Sequence, residues 1–208
     1  MFAESIGPQD IDKLEKASFD GEITVIDKVG KDLDDAIRYL RNKRVIGFDT
    51  EARPCFSPGQ PQYGTSLLQL SGAERAFLFR LKHIGLDRRL CSILSNPNII
   101  KVGAAVADDI RGLKKFSEFK EKGFVDLQKI VGDFGIRDKS VKKMAAIILG
   151  VRISKTQQLS NWEAETLSES QRKYAATDAW ICREMYRKLE SSRKLSDVGD
   201  SKKTSEEK

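Results

Sequence analysis

One histidine stands among 208 residues, and its scarcity excludes more chemistry than any other feature of the composition. A Ser-His-Asp or Cys-His nucleophile, an HExxH zinc site or a histidine-rich metal cluster would each have to use His83. The three cysteines, Cys55, Cys91 and Cys182, are odd in number, far apart and without a CxxC pair. That usage fits buried thiols in a reducing compartment and not a disulfide framework. The chain has no GxxxxGK[ST], GxGxxG or GxSxG motif, so the usual phosphate-cradling loops and the nucleophile elbow are missing. No apolar run approaches the roughly 18 residues of a membrane span. The opening MFAESIGPQDIDKLEK lacks a basic segment followed by an apolar one, so it does not read as a signal peptide. The expectation is a cytoplasmic protein with no membrane partner.

Charge is what the chain has in quantity. Lys and Arg number 37 against 31 Asp and Glu, a net +6 that leans toward an anionic partner. Residues 101–160 hold 13 basic and 7 acidic residues, an excess equal to that of the whole chain. With histidine chemistry excluded, carboxylates and cations point to hard-metal chemistry on phosphates.

Residues 1–20 read as an irregular or helical lead-in, 21–190 as one domain, and 191–208, without periodicity or aromatics, as a disordered tail. Within the domain, 22–29 alternates like an edge strand, and 31–42 has its apolar residues at helical spacing. RVIGFDTE (44–51) is an apolar strand ending in polar residues. Residues 65–71 and 75–81 form two strands joined by Gly72-Ala73-Glu74, a predicted antiparallel hairpin. Helices are predicted over 84–96, 108–116, 140–150 and 168–192, with short strands at 99–103 and 124–127. The order, a strand meander followed by alternating strands and helices, indicates an α/β domain with a mixed sheet.

Three acid motifs separate themselves from this background. Asp49 and Glu51, two apart at the end of an apolar strand, share one face of the sheet. Tyr174 and Asp178 are four apart, one turn from each other on a single helix face. Asp108 and Asp109 open a helix after a buried strand, a position that the helix dipole alone favours. Each motif by itself is compatible with an ordinary strand end, an amphipathic helix or a helix start.

Together, over residues 20–190, they resemble the DEDD 3′–5′ exonucleases. FDTE is similar to the first motif of that family. KVGAAVADDIRGL is similar to the second, and counting from Gly103 and back from Leu113 both select Asp109. LSNWEAETLSESQRKYAATDAW is similar to the third. Lys173 stands where the histidine subgroup has its histidine, which places the chain with the tyrosine subgroup of ribonuclease D and the Werner-type domain. The resemblance implies a ribonuclease H-like mixed β-sheet flanked by helices. It also implies two divalent cations, Mg²⁺ or Mn²⁺, held by Asp49, Glu51, Asp109 and Asp178, with Tyr174 orienting the attacking water. The implied substrate is the single-stranded 3′ end of DNA or RNA, released as nucleoside 5′-monophosphates. A catalytically silent nucleic-acid-binding module of the same fold is the alternative.

The basic span between the second and third motifs suggests a rim for the strand. Lys139, Lys142, Lys143, Arg152 and Lys155 are the candidate contacts, each equally readable as part of a solvated face, and Trp162 either stacks on a base or packs to position the long helix. The loop 52–64, with three of the five prolines, is either a wedge against the terminal base or a plain connector.

Overall fold

The computed structural model describes residues 2–55 and 64–206, with side chains to Arg193. Residues 56–63, most of the loop read as wedge or connector, lie outside the described residues. The chain opens with α1 (Pro8–Asp12), the short strand β1 (Glu15–Lys16), β2 (Glu22–Ile26), α2 (Lys31–Arg41) and β3 (Val45–Ala52). The hairpin of β4 (Thr65–Ser71) and β5 (Arg75–Arg80) leads into α3 (Leu81–Ile84), α4 (Arg88–Leu94), β6 (Ile100–Gly103), α5 (Val106–Lys114) and β7 (Phe124–Asp126). Then come α6 (Leu127–Ile130), a 3₁₀ turn (Val131–Phe134), α7 (Val141–Leu149), β8 (Val151–Arg152) and α8 (Glu169–Glu206).

Six strands form one mixed sheet in the order β2-β5-β4-β3-β6-β7. The pairs β3/β4 and β4/β5 are antiparallel, as the short hairpin link requires, while β2/β5, β3/β6 and β6/β7 are parallel. Helices cover both faces, and β3 shows the division by alternation. Ile46 and Phe48 join the core under α2, α4 and α5, whereas Val45 belongs to the core under α7 and α8. Every residue of β4 is buried, because both of its faces are covered.

One close approach sets the geometry. A Cβ on Gly47 would lie 1.8 Å from the Ala179 carbonyl oxygen, so only glycine lets α8 rest this near the β3 backbone. Ala175, Ala176 and Ala179 on the facing side of α8 are fully buried. The third motif is thereby held directly over the first.

Several elements differ from the sequence reading. The helix expected over 84–96 starts only at Arg88, because Gly85 takes a positive φ of 63° and Asp87 caps the Arg89 amide. The lead-in is docked: β1 pairs in parallel with β8, and Ile11 and Phe19 are buried. Helix α8 continues past the 168–192 pattern to Glu206, although its last described side chain in the core is Leu189. Among the described residues no helix is long and apolar enough to cross a membrane.

Candidate active site

Strand β3 delivers Asp49 and Glu51 to the face that α8 covers, as their spacing of two predicts. The register of β3 on β4 shifts between Glu51 and Ala52, a bulge at the strand end that carries Glu51. Asp178 reaches the same point from α8. One carboxylate oxygen from each of Asp49, Glu51 and Asp178 lies within 4.8 Å of the others.

Asp109 approaches from the other face of the sheet. It stands in the first turn of α5, and its Oδ1 accepts a 2.5 Å hydrogen bond from the Thr50 hydroxyl. Thr50 lies between Asp49 and Glu51 and so points to the opposite face from both. Asp108 turns away, three-quarters exposed and paired with Arg111. Of the two neighbouring acids, Asp109 is the one that bonds to the first motif. Helix α5 is set by Ala105, which adopts a left-handed φ of 58° and donates its amide to Asp126 Oδ1 at 3.0 Å.

The electrostatics are those of like charges forced together. Burial first, then Asp178, Asp109 and Glu51, push the Asp49 carboxyl well above the usual range. Burial, Asp178 and Asp109 raise Glu51 to about 9. Burial lifts Asp178 to about 7 against the opposing pull of the Tyr174 hydrogen bond and of Lys155. Asp109 rises to about 6 through burial, opposed by Thr50. The Tyr174 phenol is pushed up by burial and by Asp178, Glu51 and Asp49, so it stays protonated and donates to Asp178.

Tyr174 is fixed from behind. The Trp162 and Tyr174 rings pack 6.0 Å apart between centroids, and Trp162 is 1% exposed. Of the two readings of Trp162, its burial favours packing, here against Tyr174, over stacking on a base. The segment that carries Trp162 is held by Arg80, whose guanidinium donates to the Ala164 and Glu165 carbonyls. Gln171 also grips it, through Ser160 Oγ at 2.8 Å and the Asn161 carbonyl at 3.1 Å.

The basic candidates divide. Lys155 is exposed and close enough to Asp178 to stabilise its charged form. Lys142 is half-buried on α7. Lys143 pairs with Asp138 at 2.7 Å, and Arg152 Nε donates to the Leu14 carbonyl at 2.9 Å. Much of the 101–160 excess is likewise spent internally. Lys101 is fully buried with its ammonium on the Asn96 and Ile99 carbonyls, while Arg111, Lys114 and Arg137 pair with Asp108, Glu121 and Glu4.

Three contributing residues escaped the sequence reading. Gly47 shares a face with Asp49 by strand period. Thr50 sits inside the first motif. Gln69, paired in register with Asp49, is fully buried with neither side-chain amide atom hydrogen-bonded among the described residues. A glutamine within the apolar run TSLLQLS was the signal for the last of these.

A family model described as 3′–5′ exonuclease matches residues 25–193. The chain belongs to the DEDD 3′–5′ exonuclease family. Among relatives, it is 33% identical over 154 residues to the exonuclease 3′–5′ domain-containing protein 2 of Homo sapiens, covering 68% of this chain and 24% of that protein. It is 28% identical over 162 residues to the bifunctional 3′–5′ exonuclease/ATP-dependent helicase WRN of Mus musculus, covering 75% of this chain but 12% of the relative. The chain thus spans a quarter or less of either relative. The Escherichia coli RNase D structure superposes with a TM-score of 0.69 at 25% identity, over 88% of this chain and 49% of that one. The Nibbler EXO domain of Aedes aegypti superposes with a TM-score of 0.70 at 22% identity, covering 94% of each chain. The fold is therefore ribonuclease H-like, with the mixed sheet and flanking helices that the motifs implied.

The donor set suits the divalent cations that this family uses. Three carboxylates converge with oxygen ligands only, the choice of a hard cation, and their raised proton affinities show negative charge that a cation would neutralise.

Proposed function

We propose that this chain is a metal-dependent 3′–5′ exonuclease acting by a two-metal mechanism. It shortens a single-stranded 3′ end of DNA or RNA and releases nucleoside 5′-monophosphates. The observation that carries the reading is the convergence of Asp49, Glu51 and Asp178 within 4.8 Å, in a chain of this family. Cys91 and Cys182 are free thiols, in keeping with a reducing, cytoplasmic setting.

Asp49, Glu51 and Asp178 would hold the cations, Mg²⁺ or Mn²⁺, with Asp109 completing the set through its position beyond Thr50. Bound there, the cations would acidify a water and neutralise the charge on the phosphate and on the departing 3′ oxygen. The chain's own residues supply orientation. Tyr174 stays protonated at every working pH, so its phenol orients water by donating a hydrogen bond and does not serve as a base. Its tie to Asp178 and its packing on Trp162 fix where that donor points. Lys155, beside Asp178 on an exposed segment, is the cation best placed to meet the strand.

The test uses 5′-labelled single-stranded RNA, single-stranded DNA and recessed duplex, each with Mg²⁺ or Mn²⁺. A ladder shrinking from the 3′ end, lost with EDTA and with Asp109→Asn, is the expected result. Tight binding without shortening in any metal would overturn the catalytic reading in favour of a silent binding module.

A further inference from the structure

A second charged feature lies at the other end of β3. The link from α2 into β3 and the middle of α8 enclose a cavity of about 360 Å³ lined by Lys43, Arg44, Arg183 and Arg187 together with Asn42 and Val45. Glu190 is the one carboxylate in its lining, and the Tyr186 hydroxyl already donates to it at 3.2 Å. Arg183 is built into the wall, 12% exposed, with its Nε donating to the Val45 carbonyl at 3.3 Å and its guanidinium paired with Glu184. Lys43 Nζ sits 4.2 Å from the centroid of the Tyr39 ring, which orients it without cancelling its charge. Arg44 and Arg187 are exposed and have no carboxylate partner among the described residues.

A concave site with this surplus of forked donors matches the oxygens of phosphate. No aromatic ring lines it, and Val45 is its one apolar residue, so it offers no platform for a base. That favours a sequence-independent backbone phosphate over a nucleotide held by its base. The distance to the carboxylates follows from the elements. Val45 to Asp49 is about 13 Å along β3 at roughly 3.3 Å per residue, and Asp178 to Arg187 is about 13 Å along α8 at 1.5 Å per residue.

We propose that this cavity is a phosphate-binding exosite, which grips the nucleic-acid backbone a few nucleotides from the carboxylate cluster. The identity of the strand rests on the exonuclease reading; the anion chemistry does not. The site lies outside residues 101–160, where the sequence concentrates its positive charge.

The experiment measures binding of fluorescein-labelled oligonucleotides of about 4 and about 16 nucleotides in EDTA, between about 50 and 200 mM KCl. Wild type is compared with the double variant Arg44→Glu/Arg187→Glu, and thermal melting verifies that the variant folds. Hydrolysis of the p-nitrophenyl ester of thymidine 5′-monophosphate, too small to span the two sites, reports basal activity. The longer strand is expected to bind the variant at least about tenfold more weakly. Its log–log salt slope should fall by about 1.4, two lost phosphate contacts at roughly 0.7 each, with the short strand and the ester unaffected. Equal affinities and slopes would overturn the exosite. Inorganic pyrophosphate that stabilises wild type but not the variant, with no effect on the long strand, would also overturn it and assign the cavity to free phosphates. Length-dependent, variant-sensitive binding without any cleavage would leave the exosite standing and remove the exonuclease reading instead.

Discussion

The two ends of β3 face the same helix with opposite charge. At one end Asp49 and Glu51 meet Asp178 of α8, buried enough that each carboxyl holds its proton more tightly than usual. At the other, Arg44, Arg183 and Arg187 surround a cavity, and of these three only Arg183 is largely buried. Between them the seam is small and apolar, with Gly47 under Ala179. The seam accounts for why α8 lies where it does; neither cluster is needed for that. The buried carboxylates repel one another at a real cost in stability, while the exposed guanidinium groups are screened by water and cost little. Both arrangements make sense through what they bind, and they should respond differently when disturbed.

The largest response belongs to the acidic end. Asp178→Asn should lower single-turnover cleavage by about 10³-fold or more. The same change should raise the melting temperature in EDTA, because it removes a charge that burial disfavours. Arg44→Glu/Arg187→Glu should do neither.

Next comes pH. Glu51 at about 9, Asp178 at about 7 and Asp109 at about 6 all sit above their unfolded values. Groups raised in this way favour the fold below the ordinary carboxylate range and lose that contribution as pH climbs through the raised values. Metal-free protein should therefore lose several kcal/mol between pH 5 and pH 9, read by denaturant melts. Asp178→Asn should flatten the limb up to about pH 7. The basic-end variant should keep the full slope.

Smaller still is Gln69→Leu. Replacing an unpartnered buried amide with an apolar group of similar size should stabilise metal-free protein by about 1 kcal/mol. The rise in melting temperature on adding Mn²⁺ should shrink, since Gln69 lies in register with Asp49. The smallest expected effect is that of Lys143→Ala on α7, which removes an ion pair with Asp138. Stability should change by less than about 1 kcal/mol, and oligonucleotide binding not at all.

Much of this was legible in the sequence where the signal is local. The period of α2, the hairpin link and the two-residue and four-residue spacings of the acids each depend on near neighbours in the chain. The spacing of Asp49 and Glu51 placed them on one face, and the count from Gly103 chose the acid that bonds to Thr50. Features joining distant residues were not legible. The pairing of β1 with β8, the grip of Arg80 on the Ala164 and Glu165 carbonyls and the burial of Trp162 against Tyr174 all depend on tertiary contacts. The same holds for charge. The excess over 101–160 was visible as a count, but its pairing with Asp108, Glu121, Asp138 and Glu4 was not, and the basic cavity draws its cations from two separate stretches.

The central claim, that the carboxylates of β3 and α8 form a cation-held hydrolytic centre, is tested most directly by calorimetric titration of Mn²⁺ into metal-free protein. Wild type should bind more than one cation per chain, and Asp178→Asn should lose most of the heat while keeping its fold by circular dichroism. Identical isotherms for the two proteins, or no binding to wild type at millimolar Mn²⁺, would contradict the account.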